Sequence, residues 1–461
     1  MNKYLLLFGL IIFASCSKKK SSSPSDPTNI PQYGTPYANV PATTTDISMY
    51  VVNERAYSAT GDFNGIIPRL DSIKALGINV IWLMPINPIG KSIPGHASVN
   101  SPYCVEDHLG VNSEFGTLAD LQNLISTAHS KDMAVILDWA ANQTSWDNAW
   151  ITEHPSWYEQ DGSGNIIYPP GTTFTDVAQL NYNNDTMRLQ MIKDMGYWIH
   201  AANFDGFRCD YADNIPDDFW AQAIDSLGKI QPARNLILLA EGGYPSHFNA
   251  GFQMIFGEEY YKSVVDGFSG NTPQNIYNMN SDEYNGVATG KERLRFTTTH
   301  DHAAFTGPYN GSPMTLFNGK AGALAASAIT INMPGVPMIY GSQEVGTTSL
   351  VSFFEKNPID WTINPDMVAA YKLMLNFHNS STALKTGALA TYADPNVVCY
   401  TRVAGADSVL VIANIRNSSE TLTVPVALQG TNWINAYDGT SLSLTATLPV
   451  TAYQYLVLKN H

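Results

Sequence analysis

The chain has 461 residues and a mass of 50.4 kDa, and 44% of it is hydrophobic, so it is long enough for one large domain and a smaller one, and disorder throughout is excluded. A formal net charge of −15 and a pI of about 5.0 lack the basic footprint that nucleic acid or an anionic lipid surface requires, which leaves a neutral ligand as the simpler expectation. Charged residues are only 14% while aromatics reach 11%, with 9 Trp and 24 Tyr, a balance that suits stacking on sugar faces as well as ordinary packing.

At the N-terminus, Lys3 precedes an apolar run from Tyr4 to Phe13 that is too short for a stable transmembrane helix and is followed by small residues. This predicts a signal peptide over residues 1–15. "FASC" resembles the lipobox of bacterial lipoproteins, with Phe13 where leucine is usual, so Cys16 is expected to be lipidated after cleavage. The stretch "SKKKSSSPSDPTNIP" behind it reads as a tether within residues 16–45. Basic residues follow Cys16 where the acidic export signal of Bacteroidetes surface lipoproteins would stand, so an exported, membrane-anchored protein is expected with its membrane face open. Cys104, Cys209 and Cys399 then remain, an odd number without metal-ligand spacing, and no essential disulfide is predicted.

Residues 46–381 alternate apolar runs with amphipathic stretches, the pattern of repeated βα units. "DISMYVV" is the first strand. "GIIPRLDSIKALG" follows as a helix stopped by Gly77, then the continuous apolar strand "INVIWLMP". "TLADLQNLISTAHS" opens with Thr117 and Asp120 in capping-box spacing and leads into "MAVILDW". "TMRLQMIKDMGYWIHAAN" places Met187, Met191, Met195 and Ile199 on one face, "FDGFRCD", "NLILLAE", "RLRFTTTHD" and "GVPMIYG" supply four later strands, and near "GFQMIF" one more would fit. A count near eight predicts an α/β fold, a (β/α)8 TIM barrel, with a short inserted subdomain at 140–184 after strand 3. An open doubly wound sheet is disfavoured, because no glycine-rich phosphate loop follows the first strand. Alternating runs such as "VVCYTRV" and "SVLVIANI" predict a C-terminal antiparallel β-sandwich domain over 382–461.

Several predicted strands end in polar groups: Asp138 with Asn142, Arg208 with Asp210, Glu241, and His300 with Asp301. Barrel enzymes keep their catalysts at these ends. In "DGFRCDY", Arg208 and Asp210 share one face of the strand and Cys209 points the other way. Glu241, after five apolar residues, is expected to hold its proton by desolvation, whereas Asp210 beside Arg208 stays ionised; two carboxyls with separated pKa values make an acid and a nucleophile. His96, His129, His154, His200, His247 and His378 lack ligand spacing and read as surface or capping residues, and His302 as a packing neighbour of the site. Of the tryptophans, Trp146, Trp150 and Trp157 in the insertion are the expected ligand contacts.

"LDWAANQ", "GFRCD", "AEGG" and "FTTTHD", in this order, resemble the four signature regions of the α-amylase family of glycoside hydrolases (family 13). "SPYCVEDHLGVNSEFGT", "QLN" at 179–181 and "GVPMIYGSQE" match supporting stretches, and the resemblance runs from about residue 46 to the C-terminus. It implies a retaining mechanism in which Asp210 attacks the anomeric carbon, Glu241 is acid and then base, and Asp301 binds sugar hydroxyls in the transition state. Tyr103, Asp138, Gln143, Arg208 and His300 become the substrate-binding candidates, with Tyr103 under the sugar ring and Arg208 orienting the nucleophile. Departures accompany it. Gln143 stands where the family usually has histidine, the lysine and histidine common after the nucleophile are missing from "DYADNIP", and "ATGDFNG" lacks the acidic ladder of a calcium loop. Asn142 is left as a candidate calcium ligand, and no cofactor is expected to be required. The expected activity is hydrolysis of α-1,4-glucosidic bonds in starch-like glucans or maltooligosaccharides by a monomer. The alternatives are a glucanotransferase, a glycosidase for sucrose- or trehalose-like sugars, or a sugar-binding surface protein with weak turnover.

Overall fold

The structure is a computed structural model that describes residues 31–460; the predicted signal segment and Cys16 lie outside the described residues. Eight strands, β1 (Met49–Val52), β2 (Val80–Leu83), β3 (Ala134–Trp139), β4 (Gly206–Cys209), β5 (Ile237–Ala240), β6 (Met254–Phe256), β7 (Glu292–Arg295) and β8 (Val336–Tyr340), close into a barrel. Each pairs in parallel with its sequence neighbours, and β8 returns to β1 through Met49 opposite Met338. Nearly every residue of these strands is buried, which is why they read as continuous apolar runs rather than alternating ones.

The connections follow local chemistry. The helix predicted after β1 is broken into Phe63–Ile66, a tight 3-10 turn Ile67–Arg69 and Leu70–Ala75, because Pro68 has no N–H to give an α-helical ladder. Helix Leu118–Ser130 starts with the expected capping box: Thr117 Oγ1 accepts from Asp120 N at 3.2 Å, and Asp120 Oδ2 accepts from Thr117 N at 2.9 Å. Helix Asp185–Ala201 buries Met187, Met191, Met195 and Ile199. In the insertion, Gln143–Ser145 pairs antiparallel with Val177–Gln179, which returns the chain to the barrel mouth and sets Gln143 opposite Gln179. Cys104, Cys209 and Cys399 are buried and free.

The C-terminal region forms β9 (Ala388–Thr391), β10 (Val397–Ala404), β11 (Asp407–Asn414), β12 (Glu420–Thr423), β13 (Asn432–Asn435), β14 (Ser441–Ser443), β15 (Thr447–Val450) and β16 (Tyr455–Lys459). The six-stranded sheet runs β9-β10-β11-β16-β13-β14, and β12 pairs with β15 beside it. The two-residue period of the central strands divides their side chains between two cores. Val397, Cys399, Leu410 and Ile412 join Leu422, Trp433 and Leu458 between the sheets, whereas Val398, Tyr400, Val409 and Val411 belong to the core shared with the barrel. Tyr277 reinforces that junction, its hydroxyl donating to Cys399 O at 3.1 Å and accepting from Cys399 N at 2.7 Å.

Surface or capping placement fails for His247 and His378, which are buried. His247 is buried because both ring nitrogens meet carboxylates, and burial pushes His378 down to about 3.

Gly206 opens β4 at φ +150°, and a Cβ there would stand 1.9 Å from Ile237 O, so only glycine lets β4 start flush against β5. Gly206→Ala should lower the urea midpoint by the equivalent of roughly 2–4 kcal/mol, through displacement of the strand that carries Arg208 and Asp210.

Candidate active site

The C-terminal ends of β3, β4, β5 and β7 bring Asp138, Arg208, Asp210, Glu241, His300 and Asp301 together at one mouth of the barrel, and Tyr103 joins them from the long connection after β2. Arg208 is fully buried at the centre. Its Nη1 donates to Asp138 Oδ1 and to Asp210 Oδ1, both at 2.7 Å, and its Nη2 lies 2.6 Å from Glu241 Oε1 as an ion pair out of line for a hydrogen bond. The rings of Trp82, Phe256 and Tyr103 surround the guanidinium carbon at 5.0, 5.5 and 5.8 Å. Arg208 therefore does more than pair with Asp210, the sole partner expected from the sequence: the same cation serves three carboxyls.

Asp138 has no exposed surface, and its Oδ2 accepts from Trp82 Nε1 at 3.0 Å and Tyr103 Oη at 2.9 Å. Tyr103 Oη also lies 2.7 Å from His300 Nε2. Since the single tyrosine proton goes to Asp138, His300 carries its hydrogen on Nε2. Burial and the charge of Arg208 hold that imidazole neutral, well below its usual range. His300 Nε2 is also 3.2 Å from Asp301 Oδ2. Glu241 Oε2 accepts from the backbone N–H of Tyr211 at 2.7 Å. Tyr211 directs that N–H from a left-handed backbone (φ 50°, ψ 41°), an unfavourable conformation for a bulky residue placed directly after Asp210. The carboxyls of Asp210, Glu241 and Asp301 open into a cleft of about 380 Å³, lined also by Tyr103, Gln143, Phe174, Tyr211, Phe305, Phe353 and Phe354. A larger cavity of about 590 Å³ lies at the opposite end of the barrel, around Thr43, Gly290 and Lys385, and contains none of these groups.

The expected separation of pKa values is corrected. Glu241 is not the most enclosed carboxyl: its side chain is 24% exposed against 12% for Asp210. Burial, with the charge of Glu241 added, pushes Asp210 well above the usual carboxylate range against the pull of Arg208. Asp138 is raised to about 6, chiefly by burial, and Asp301 to about 7 by the cleft walls and the charge of Glu241. One guanidinium among four carboxyls leaves the group short of positive charge, so in the free site a proton belongs to the cluster rather than to one residue.

Asn142 does not fit a calcium ligand. Its Oδ1 accepts from Gln179 Nε2 at 3.0 Å and Asn214 Nδ2 at 2.9 Å, which uses both lone pairs, and its Nδ2 donates to Gln143 and Gln179. Among the described residues no group of three His, Cys, Asp or Glu side chains is placed to hold a metal ion. Gln143 lines the cleft while its Oε1 accepts from Asn142 at 2.8 Å, so its carbonyl is committed to this amide network. The insertion tryptophans are displaced from the expected role: Trp146 stacks on His96, and Trp150 and Trp157 pack on His108 and His154. The insertion instead contributes Phe174, which is 50% exposed beside Tyr211. Sequence reasoning missed Tyr211, Phe174, Phe305, Phe353 and Phe354. The adjacent "FF" after β8 was the one visible signal.

The family model for the alpha amylase catalytic domain matches residues 25–164. Alpha-amylase 3 of Dictyoglomus thermophilum is 29% identical over 353 residues, covering 68% of this chain and 65% of that protein. An alpha-1,4-glucan:maltose-1-phosphate maltosyltransferase of Picrophilus torridus is 30% identical over 199 residues, 39% of this chain and 31% of that protein. The chain thus spans less than two thirds of the length of these curated relatives. The crystal structure of an alpha-amylase from Lactobacillus plantarum superposes with a TM-score of 0.80 at 25% identity, covering 90% of this chain and 99% of that one.

The raised Asp301 carboxyl has a consequence for stability. Its folded value of about 7 lies above its ordinary 3.8, so ionising it within the cluster penalises the native state progressively between pH 3.8 and 7, by an amount that solvent screens because the side chain is 45% exposed. Asp301→Asn should therefore raise the urea midpoint at pH 8, and the gain should vanish as the pH falls through that window.

Proposed function

The chain belongs to the α-amylase family of glycoside hydrolases, and from that premise we propose that it is a retaining α-glycosidase acting on α-1,4-linked glucans or maltooligosaccharides. The observation that carries this reading is the holding of Asp210 and Glu241 on the two terminal nitrogens of Arg208. Sharing one small cation favours the carboxyl separation of about 5–5.5 Å used in double displacement over the ~6.5–9.5 Å that accommodates an intervening water. Asp210, which lines the cleft, is pinned through Oδ1, which in this reading leaves its other oxygen to act as the nucleophile.

In the first step Asp210 attacks the anomeric carbon while Glu241 gives its proton to the departing glycosidic oxygen. In the second, Glu241 takes a proton from water, and the resulting hydroxide oxygen displaces Asp210. The acid role in the first step requires Glu241 to hold a proton when sugar fills the cleft. In this reading Asp301 binds hydroxyls of the distorted ring and Tyr103 stacks beneath it, while His300, which has no exposed surface, supports both through its Nε2 and Asp138 fixes Arg208 and Tyr103.

The exposed rings of Phe174 and Phe305 at the rim, with Phe354 beside them, support a second reading, transfer of the glycosyl group to another sugar, since a bound acceptor stacks there better than water. Reducing-sugar release and product chain length from soluble starch, pullulan, maltotriose, sucrose and trehalose separate hydrolysis from transfer and fix the substrate. The "FASC" sequence and its polar tether support anchoring of the exported protein through Cys16.

Asp210→Asn should retain the fold and lower kcat on the preferred glucan by about 10⁴-fold or more; residual activity within tenfold of wild type would remove Asp210 as nucleophile. Cys16→Ala should move the protein from the membrane to the soluble fraction at unchanged specific activity, and an unaltered distribution would end the anchor reading.

A further inference from the structure

Beyond the strand ends, residues 209–213 and 241–244 continue the pairing of β4 with β5 as a short irregular zipper. Glu241 N donates to Cys209 O and Ala212 N to Glu241 O, both at 2.9 Å, and Tyr211 N donates to Glu241 Oε2 at 2.7 Å. Asp213 closes the zipper: its carboxylate accepts from Gly243 N at 3.0 Å and Tyr244 N at 3.4 Å. The same carboxylate meets His247 Nε2 at 2.7 Å, and His247 Nδ1 meets Asp217 at 2.8 Å, in the first turn of helix Asp217–Leu227. Gly242 makes room for this clasp, because a Cβ there would lie 2.3 Å from Asp213 Oδ1 and 2.8 Å from His247 Nε2. The peptide that follows Glu241 is thus pressed against a buried imidazole that ties the loop after β5 to the loop after β4.

We propose that His247 is a positioning residue that acts through Asp213 to hold Glu241 at the angle required for protonating the leaving oxygen. The inference rests on the glycosidase reading for its chemistry, but not for its geometry. Arg208 fixes Oε1 of Glu241 from within the barrel, and Tyr211 N–H fixes Oε2 from the β4 loop. Asp213 follows Tyr211 by two residues and governs where that N–H points. His247 in turn restrains Asp213, whose carboxyl is held below its ordinary range by the hydrogen bonds it receives in spite of its partial burial. The neighbouring charged group on the other side of the loop, Arg293, donates to Gly243 O at 3.2 Å and leaves the Asp213 contacts intact.

Two isosteric variants test it. The amide nitrogen of glutamine reproduces Nε2 of histidine, and that of asparagine reproduces Nδ1. His247→Gln should therefore keep the bond to Asp213 and retain kcat on maltooligosaccharides within about twofold. His247→Asn should lose that bond and fall roughly tenfold in kcat with little change in KM. On α-maltosyl fluoride, whose leaving group departs without a proton, the loss in His247→Asn should shrink to less than about twofold in kcat/KM, which reports the first step and not the later action of Glu241 as base. Equal losses in the two variants, or a loss as large on the fluoride as on the oligosaccharide, would reduce His247 to a structural residue. A readout without substrate decides the geometry alone: the 13C carboxyl resonance of Glu241, identified by its disappearance in Glu241→Gln, should shift in His247→Asn and stay in place in His247→Gln. Failure of the wild-type protein to cleave either substrate would overturn the glycosidase reading and leave that resonance to decide the positioning, whereas an unmoved resonance overturns the positioning whatever the substrate.

Discussion

Everything at the barrel mouth depends on one buried guanidinium. Arg208 is desolvated on all sides, ringed by Trp82, Tyr103 and Phe256, and its charge is compensated only by carboxyls from three different strand ends. A buried cation of this kind adds little net stability relative to an apolar residue, but removing it would leave several carboxyls uncompensated, at a cost of about 3–5 kcal/mol. The arrangement is better understood as a geometric device. Arginine presents its donors in a fixed plane, and carboxyls attached to that plane inherit its spacing. Lysine would supply the charge without the spacing.

The remainder of the site arranges itself around that plane. Asp138 is the carboxyl without surface, so it acts as a strut whose oxygens are all occupied by Arg208, Trp82 and Tyr103. Asp210, Glu241 and Asp301 face the cleft, and burial, with the charge of Glu241 added, raises the carboxyls of Asp210 and Asp301. Hydrogen bonding extends outward from there, through Tyr103 to His300 and through Tyr211 to the loop after β5. The site is thus rigid at its base and open at its rim, where the exposed aromatics stand.

Much of this was legible from the chain because strand burial and strand ends leave strong one-dimensional traces. Apolar runs approaching eight in number marked the barrel, and the three-residue β6 lies where "GFQMIF" left room for one more strand. The strand-end polar residues did converge in space. What escaped was set by three-dimensional neighbourhood. Asp138 and Glu241 share the cation of Arg208, although no spacing relates residue 138 or 241 to residue 208, and without that sharing the charge assignments looked simpler than they are. The insertion tryptophans were credited with ligand contact for their chemistry, yet each finds a histidine ring to stack on, while the less conspicuous Phe174 reaches the cleft. Asn142 looked like a free oxygen donor because its amide partners, Gln179 and Asn214, lie 37 and 72 residues away.

The division of β10 and β11 between two cores bears on how this architecture could be altered. A module that buries only its own interior can be exchanged, shortened or detached at a linker. Here alternate side chains of the same two strands are shared with the barrel, so cutting the chain before β9 would uncover Tyr400 and Val411 on one side and strand Tyr277 and Ile329 on the other. Barrel and C-terminal sheet are in this respect a single inheritance: sequence drift in either is constrained by the packing needs of its partner, and recombination between relatives would succeed only where both halves of that shared surface travel together.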